Sequence, residues 1–60
     1  MMLPSDPNIL LSYINTKLRD EFSSLEKLAD GLDVDLYEIK EKLASIGYEY
    51  KEEVNQFKTK

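Results

Sequence analysis

The sequence predicts a mainly α fold in which three helices are followed by a short C-terminal β-hairpin. Two observations predict it. Apolar residues recur at helical spacing in three consecutive segments, and each segment starts with a residue type that caps helices. After Gly47 the spacing changes to the alternation of apolar and charged residues that is typical of a strand. The predicted elements are helices at about 7–21, 24–32 and 36–46 and a hairpin at about 47–58.

All 60 residues are predicted to form one domain, 1–60. A chain of this length buries only about 60% of the surface that its unfolded form exposes, so its stability is marginal. Small domains are often stabilised by a disulfide or a bound metal, but this sequence has no cysteine for the one and no histidine for a zinc site. The stability must therefore come from well-packed helices or from a partner subunit.

The first helix is predicted to start at Asp6, which can cap it, followed by Pro7. Proline suits the first helical position because an N–H would be unpaired there. The apolar stripe of this helix consists of Leu10, Ile14, Leu18 and Phe22, with Leu11 beside it. Ile9 and Tyr13 lie on the other side of the helix. We therefore expect the helix to pack on both sides, with the aromatic residues of the hairpin against Ile9 and Tyr13.

The second helix is predicted to start with a capping box, formed by Ser23 and by Glu26 three residues later. Its buried stripe consists of Leu25, Leu28, Ala29 and Leu32. Gly31 weakens a helix by up to about 1 kcal/mol relative to alanine. We expect it either to permit the close approach of another helix or to end this helix early.

The third helix has the clearest predicted start. Asp35 and Glu38 have the spacing of a capping box, and Val34 and Ile39 occupy the two positions of a hydrophobic staple. The buried stripe is predicted to be Leu36, Ile39, Leu43 and Ile46. Gly47 is the expected stop, because glycine accepts left-handed backbone at no steric cost.

The segment after Gly47 is predicted to be a β-hairpin. Tyr48 and Tyr50 alternate with charged residues and should share one face. The turn is predicted within residues 52–55, with Asn55 in the left-handed region that asparagine tolerates better than most residues. Phe57 is expected on the returning strand. An isolated hairpin is marginal in water, so these aromatic side chains need a surface to pack against.

The second and third helices have the residue spacing of a helix-turn-helix. Ala29 is small at the place where the two helices cross, and Asp33 occupies the turn, where it can adopt left-handed backbone at a modest cost. With a helix before and a hairpin after, the predicted domain is helix-turn-helix-like and winged-helix-like. The spacing describes how two helices pack and does not by itself imply DNA binding.

The net charge of the chain is −4, and the whole excess of acid lies on this helix-turn-helix segment. Residues 30–41 contain five acidic residues and one lysine, so the rest of the chain is neutral. Duplex DNA carries one negative charge per roughly 1.7 Å, so the end of the third helix that would enter a groove should be repelled. We therefore rank DNA binding behind other functions.

Catalysis has little support in the sequence. Without histidine or cysteine, a nucleophile or base would have to be serine, threonine, tyrosine, lysine or a carboxylate, activated in a desolvated pocket that so small a domain rarely has. Asp33 and Asp35 are spaced like a metal-binding pair, but the calcium-loop pattern is not met and capping alone explains Asp35. We expect no enzymatic activity, cofactor, metal or small-molecule ligand.

Two polar surfaces are candidates for contacts with a partner. The first is the outward side of the third helix, where an aromatic side chain stands among charged ones, and tyrosine is enriched at interfaces. The second is the side of the first helix that faces away from its apolar stripe. The candidate residues are Tyr37, Glu41, Asn15, Thr16, Lys17 and Arg19. The alternative for each surface is an ordinary solvated helix face.

Several short motifs resemble a known family of small bacterial proteins, domain of unknown function family 4250. The resemblance extends from Leu3 to Phe57. Its most specific parts are Leu3-Pro4, Asp6-Pro7, the run Asn15-Thr16-Lys17-Leu18-Arg19-Asp20, Ile46-Gly47-Tyr48 and Asn55-Gln56-Phe57. The resemblance implies a free-standing bacterial cytoplasmic protein of about this length, and it transfers no functional residue.

The function that these observations favour is that of a non-enzymatic protein-interaction module, whose partner is either another protein or a second copy of the chain. The alternative is a nucleic-acid-binding regulator of winged helix-turn-helix type, which would use Lys17 and Arg19 together with the lysines of the hairpin and tail. No apolar run approaches the roughly 20 residues that span a bilayer, so we expect no membrane partner and a cytoplasmic location.

Overall fold

The computed structural model describes residues 3–60, and the first two residues of the predicted domain lie outside this range. Three helices, α1 (Pro7–Asp20), α2 (Leu25–Leu32) and α3 (Leu36–Ala44), precede two strands, β1 (Tyr48–Lys51) and β2 (Gln56–Thr59). The strands form one antiparallel hairpin. The predicted fold class, three helices with a short C-terminal hairpin, is confirmed.

The two ends of α1 follow from local chemistry. The Asp6 carboxylate accepts a hydrogen bond of 2.9 Å from the N–H of Asn8, and Pro7 occupies the first turn, as predicted. The helix ends at Asp20, one residue before the predicted end. The N–H of Glu21 still bonds to the carbonyl of Lys17 at 2.8 Å, so Glu21 closes the last turn.

The cap of α2 lies one residue later than predicted. Ser24, rather than Ser23, is the N-cap, and its hydroxyl accepts a hydrogen bond of 3.1 Å from the N–H of Lys27. The predicted Ser23–Glu26 capping box therefore does not form. Glu26 lies instead in the first turn, where its charge is favourable near the positive end of the helix dipole.

Gly31 permits a close approach, although to an aromatic ring rather than to another helix. A β-carbon at Gly31 would lie 2.5 Å from Cε1 of Phe22, a distance at which one group must move. α2 continues past Gly31 to Leu32, and its C-cap Asp33 has a φ of 56° and a ψ of 49°, which are left-handed, as predicted. The turn between α2 and α3 therefore has helix-turn-helix geometry without glycine.

α3 starts at the predicted cap and ends early. The carboxylate of Asp35 accepts a hydrogen bond of 2.9 Å from the N–H of Tyr37. The helix ends at Ala44, two residues before the predicted end, because the N–H groups of Ile46 and Gly47 each bond to a carbonyl three residues back. Gly47 has a φ of 81°, which fits its predicted role as the stop.

One apolar core joins the helices and the hairpin. The buried members are Leu10, Ile14, Leu18, Leu25, Leu28, Ile39, Leu43 and Phe57. The prediction that the hairpin packs against Ile9 was wrong, because Ile9 is 58% exposed. Phe57 lies in the same core as the α1 stripe, because β2 is held beside α1 on the side that carries Asn15. Tyr13 is half-buried against this core.

The hairpin has the predicted turn. Tyr50 pairs with Phe57 across the strands, and their ring centroids are 5.6 Å apart. Residues 52–55 form the turn, and Asn55 has a φ of 52° in the left-handed region. In the described residues 3–60, no helix has the length and apolar character needed to cross a bilayer.

Candidate interaction surface

Tyr37 stands on the outward side of α3 near its start. Its side chain is 71% exposed, which is the largest exposure of any bulky apolar or aromatic residue in the described part of the chain. Its backbone N–H is already bonded to the cap at Asp35, so the phenol ring is not needed to start the helix. Glu41 lies one helical turn further along and is also exposed. The ring is therefore available for contact without any loss of core packing.

Exposed carboxylates precede and follow Tyr37 along the chain, in the second half of α2, on the turn after it and on α3. We call this group the acidic surface: Asp30, Asp33, Asp35, Glu38 and Glu41. Lys40 is the basic residue within the same segment and is also exposed. Lys42 lies 4.0 Å from Glu38 one turn away, an exposed i,i+4 pair of the kind that stabilises a helix only slightly. The acidic surface therefore faces solvent with most of its charge uncompensated.

A groove lies beside the acidic surface. It has a volume of about 420 Å³ and separates the N-terminal segment from the start of α3. Its apolar lining consists of Leu3, Leu10, Val34 and Ile39, and its polar lining consists of Asp33, Asp35, Glu38 and Lys42. An apolar floor with a mainly acidic rim suits a ligand that is both apolar and basic.

The residues of the predicted surface on α1 lie in two different environments. Thr16 and Arg19 are exposed, whereas Asn15 is half-buried and faces the hairpin. The side-chain nitrogen of Asn15 donates to the carbonyl of Phe57 at 3.1 Å, and its oxygen accepts from the N–H of Phe57 at 2.7 Å. The Asn15 side chain therefore makes the two hydrogen bonds that a neighbouring strand would make with the outer edge of β2. Its amide group is not free for a partner.

The cations of α1 are paired with neighbouring acids. Lys17 lies 2.5 Å from Glu21, and this hydrogen bond raises the pKa of the Lys17 ammonium. The same ammonium lies 5.6 Å from the ring centroid of Tyr13. Arg19 lies 3.0 Å from Asp20, and its hydrogen bond lowers the pKa of the Asp20 carboxyl. The positive charge of this face is therefore balanced locally.

Sequence analysis missed a hydrogen-bonded network between the hairpin and α1. We call this network the hairpin junction: Asn15, Tyr50, Asn55, Gln56 and the backbone of Phe57. The side-chain nitrogen of Asn55 donates to the carbonyls of Leu18 and Phe22 at 3.0 and 2.9 Å. The Tyr50 hydroxyl donates to the side-chain oxygen of Asn55 at 2.6 Å, and the Gln56 amide donates to the carbonyl of Asn15 at 2.9 Å.

The hairpin junction joins two of the motifs that carry the family resemblance. Asn15 opens the first motif, and Asn55-Gln56-Phe57 is the second, about 40 residues later in the sequence. Side-chain amides can donate and accept at once, and this makes them suited to bonding both a strand edge and a helix C-terminus. The sequence feature that could have indicated this contact is the presence of amide side chains in both motifs, at Asn15 within the predicted first helix and at Asn55 and Gln56 within the predicted hairpin.

Acidic groups do not converge into a metal site. Within residues 3–60, no three histidine, cysteine, aspartate or glutamate side chains come together as a set that could hold a metal ion. Asp35 is occupied as the cap of α3, while Asp33 closes α2 with left-handed backbone. The capping interpretation of these two residues therefore has direct geometric support.

The fold and the surface together define a class: a small three-helix domain with a C-terminal hairpin, whose charge excess lies on the exposed side of its helix-turn-helix segment. The family model described as Domain of unknown function (DUF4250) matches residues 4–57, and the chain belongs to this family. No curated protein and no solved structure matches the chain. Membership establishes the family and transfers no activity to individual residues.

Proposed function

We propose that this chain is a non-enzymatic protein-interaction module that binds its partner through the outward side of α3. The observation that carries the proposal is Tyr37, which is 71% exposed and belongs to the chain segment that carries the acidic surface. Tyrosine supplies a large contact area together with a hydroxyl that can donate a hydrogen bond, and it is among the residues that contribute most to binding energy at interfaces. Glu41 is the neighbouring contact residue on the same side of the helix.

The proposed partner is a protein segment that presents basic residues beside apolar ones. Exposed carboxylates on both sides of Tyr37 attract lysine or arginine and accelerate encounter with a positively charged partner. The adjacent groove of about 420 Å³ offers apolar contacts from Leu3 and Val34 beside an acidic rim. This combination of charge and shape favours another protein over a second copy of this chain at this surface, because two copies would bring like charges together.

A nucleic-acid partner has less support from the charges of the described residues. Lys17 and Arg19, two of the cations that such a function would use, are paired with Glu21 and Asp20. Lys51 of the hairpin is paired with Glu49. Binding to a phosphate backbone draws its affinity from the release of counterions by cations, so cations already paired with acids contribute little.

The experiment is affinity capture from a lysate of the native host with three forms of the full chain: wild type, Tyr37→Ala and Val54→Ala. Val54 is 55% exposed at the hairpin turn, so it is a matched control for the loss of an exposed apolar side chain. We expect proteins that bind the wild type to bind Val54→Ala equally and Tyr37→Ala roughly thirtyfold more weakly, the effect of losing a contact worth about 2 kcal/mol. A lysine substitution, Glu41→Lys, should weaken the same partners.

Thermal unfolding of the three forms separates loss of contact from loss of folding. We expect the midpoints to agree, because both substituted side chains are largely exposed. Partners that bind all three forms equally would contradict the proposal. So would capture of nucleic acid that weakens as salt is raised and is lost in the double variant Lys17→Glu/Arg19→Glu, which is the result expected of a nucleic-acid-binding regulator.

A further inference from the structure

The two outer edges of the hairpin differ in how their backbone groups are satisfied. On β2, the N–H and the carbonyl of Phe57 both bond to the side chain of Asn15. In an antiparallel ladder, two opposed residues either exchange both backbone bonds or exchange none. Phe57 and Tyr50 are opposed, so the N–H and the carbonyl of Tyr50 point away from β2.

The outer edge of β1 is therefore open. The bond of 3.1 Å from the N–H of Lys60 to the carbonyl of Gly47 fits the same alternation, so Tyr48 also directs its backbone groups outward. Neither Tyr48 nor Tyr50 has a further backbone partner within residues 3–60. Buried backbone groups are nearly always paired, so these four unpaired groups must reach solvent. A groove of about 330 Å³ lies between α3 and the face of the hairpin that carries Tyr48, Tyr50 and Phe57.

We infer that the open edge of β1 pairs with the same edge of a second copy of the chain, which gives a two-fold symmetric dimer with a four-stranded antiparallel sheet. The pairing sets Tyr50 opposite Tyr50 of the second copy, so each donates its N–H to the other's carbonyl. This inference goes beyond the proposed function because it uses the edge of β1 and not the acidic surface. Either one can fail while the other holds.

Charge selects the partner and the register. In the register centred on Tyr50, Glu49 of one copy lies opposite Lys51 of the other, and the symmetry makes this favourable pair twice. Shifting the register to set Tyr48 opposite Tyr50 places Glu49 opposite Glu49, and like charges directly opposed are destabilising. A short edge with charged residues resists pairing with unrelated strands, so these charges restrict the edge to a self-complementary partner.

The pairing also stabilises the hairpin, whose two strands are short. Each strand has only four residues, and a sheet of two strands is marginal without further packing. In the dimer, β1 becomes a central strand, and β2 stays at the edge where Asn15 already covers it. The edge that is exposed in one copy is thus the edge that the second copy covers.

The first test uses chemical synthesis of the full chain, which its 60 residues permit, with a single methyl group on the backbone nitrogen of Tyr50. The matched control carries the methyl group on the nitrogen of Thr59, which points outward from the opposite edge of the hairpin. Sedimentation equilibrium up to about 1 mM should show a dimer for the unmodified chain and for the Thr59 control, and a monomer for the Tyr50 form. An unmodified chain that stays monomeric over this range would overturn the inference, as would a dimer unaffected by the methyl group on Tyr50.

The second test checks the register through charge exchange. Glu49→Lys and Lys51→Glu should each weaken the dimer about tenfold, because two opposed pairs become repulsive, and the double variant should return to within about threefold of the wild type. Thermal unfolding of the dilute monomers controls for loss of the Glu49–Lys51 pair within each copy. A dimer that is strengthened by Glu49→Gln would overturn the proposed register, and a dimer that is lost on Tyr37→Ala would place the contact on α3 instead.

Discussion

The hairpin junction and the acidic surface use polar residues in opposite ways. At the hairpin junction, Tyr50 and Asn55 are half-buried, and their side-chain polar groups bond to each other and to backbone carbonyls of the α1 region. On the acidic surface, Tyr37 and Glu41 are exposed. Each region contains a tyrosine beside polar side chains, which are amides at the hairpin junction and carboxylates on the acidic surface. The difference lies in whether another part of the chain offers a hydrogen-bond partner, and it separates residues that hold the fold from residues that are available to a partner.

The largest expected effect comes from Asn55→Ala at the hairpin junction. The substitution removes three side-chain hydrogen bonds, two to the carbonyls of Leu18 and Phe22 and one from the Tyr50 hydroxyl, and it leaves alanine at a φ of 52°. We expect the free energy of unfolding to fall by about 4 kcal/mol, from about 1 kcal/mol per hydrogen bond and a similar cost for left-handed backbone. Urea unfolding measures this loss.

A matched variant divides that loss into its two causes. Asn55→Gly removes the same hydrogen bonds but tolerates the left-handed backbone, so it should be less destabilising than Asn55→Ala. An Asn55→Ala protein within about 0.5 kcal/mol of the wild type would show that the hairpin junction does not contribute as described.

Asn15→Ala should have the next largest effect. It leaves the N–H and the carbonyl of Phe57 without their partner on the outer edge of β2. We expect a loss of about 2 kcal/mol, because unsatisfied backbone groups beside the core are costly. Its neighbour Thr16 is exposed, so Thr16→Ala should stay within about 0.5 kcal/mol of the wild type. Equal effects of the two variants would place Asn15 on an ordinary solvated face.

Removing one hydroxyl from each of two tyrosines gives a smaller but more direct contrast between the regions. The Tyr50 hydroxyl bonds to Asn55 at 2.6 Å, so Tyr50→Phe should cost about 1 kcal/mol of unfolding free energy. Tyr37→Phe should leave it unchanged, because Tyr37 is 71% exposed. If Tyr37→Phe were the more destabilising of the two, Tyr37 would have a structural role and the comparison would be reversed.

The smallest expected effect is a loss of stability as the pH is lowered. Hydrogen bonds from Lys51 and Arg19 lower the pKa of Glu49 and of Asp20 below their ordinary values of 4.5 and 3.8. A carboxyl whose pKa is lower in the folded state stabilises the fold above its unfolded value, and this contribution is lost as the pH falls through the folded value. The urea midpoint should therefore decrease slightly below pH 4.5, and Glu49→Gln should reduce the decrease.

Salt provides the control for this last prediction. The groups are exposed, so added salt should screen the pairs and flatten the dependence on pH. A midpoint that rises as the pH is lowered through this range would contradict the pairing.

Features set by local chemistry were predictable from the sequence. The stripe of Leu10, Ile14 and Leu18 is buried, and Asp33 and Asn55 have the expected left-handed backbone. Each of these depends on residues within one or two turns. Gly47 ends the third helical segment for the same reason, since only its own backbone freedom is involved.

Features set by distant partners were not predictable. A helical wheel places Asn15 on a polar side of α1, but its bonds are to Phe57, 42 residues away. Ile9 was expected under the hairpin and is exposed, because the hairpin approaches α1 from the side of Asn15. Two adjacent serines gave no local reason to prefer Ser24 over Ser23 as the cap of α2.

The candidate site was predictable only in part for the same reason. Exposure of Tyr37 and Glu41 follows from the period of α3, and the structure shows both exposed. The groove beside them brings Leu3 and Leu10 to Val34 and Ile39, and residues so far apart in sequence give no sign of meeting. Whether an exposed surface binds a partner is a property of the partner as well, and no single sequence contains it.

The most direct test of the central claim is an amide NMR map of the isotope-labelled chain titrated with a partner captured by the wild type and lost on Tyr37→Ala. Backbone signals of Tyr37, Glu38 and Glu41 report on the acidic surface, while side-chain amide signals of Asn15, Asn55 and Gln56 report on the hairpin junction. We expect the first set to shift in proportion to bound partner and the second set to keep its positions. Shifts concentrated on the side-chain amides, with Tyr37 and Glu41 unchanged, would contradict it.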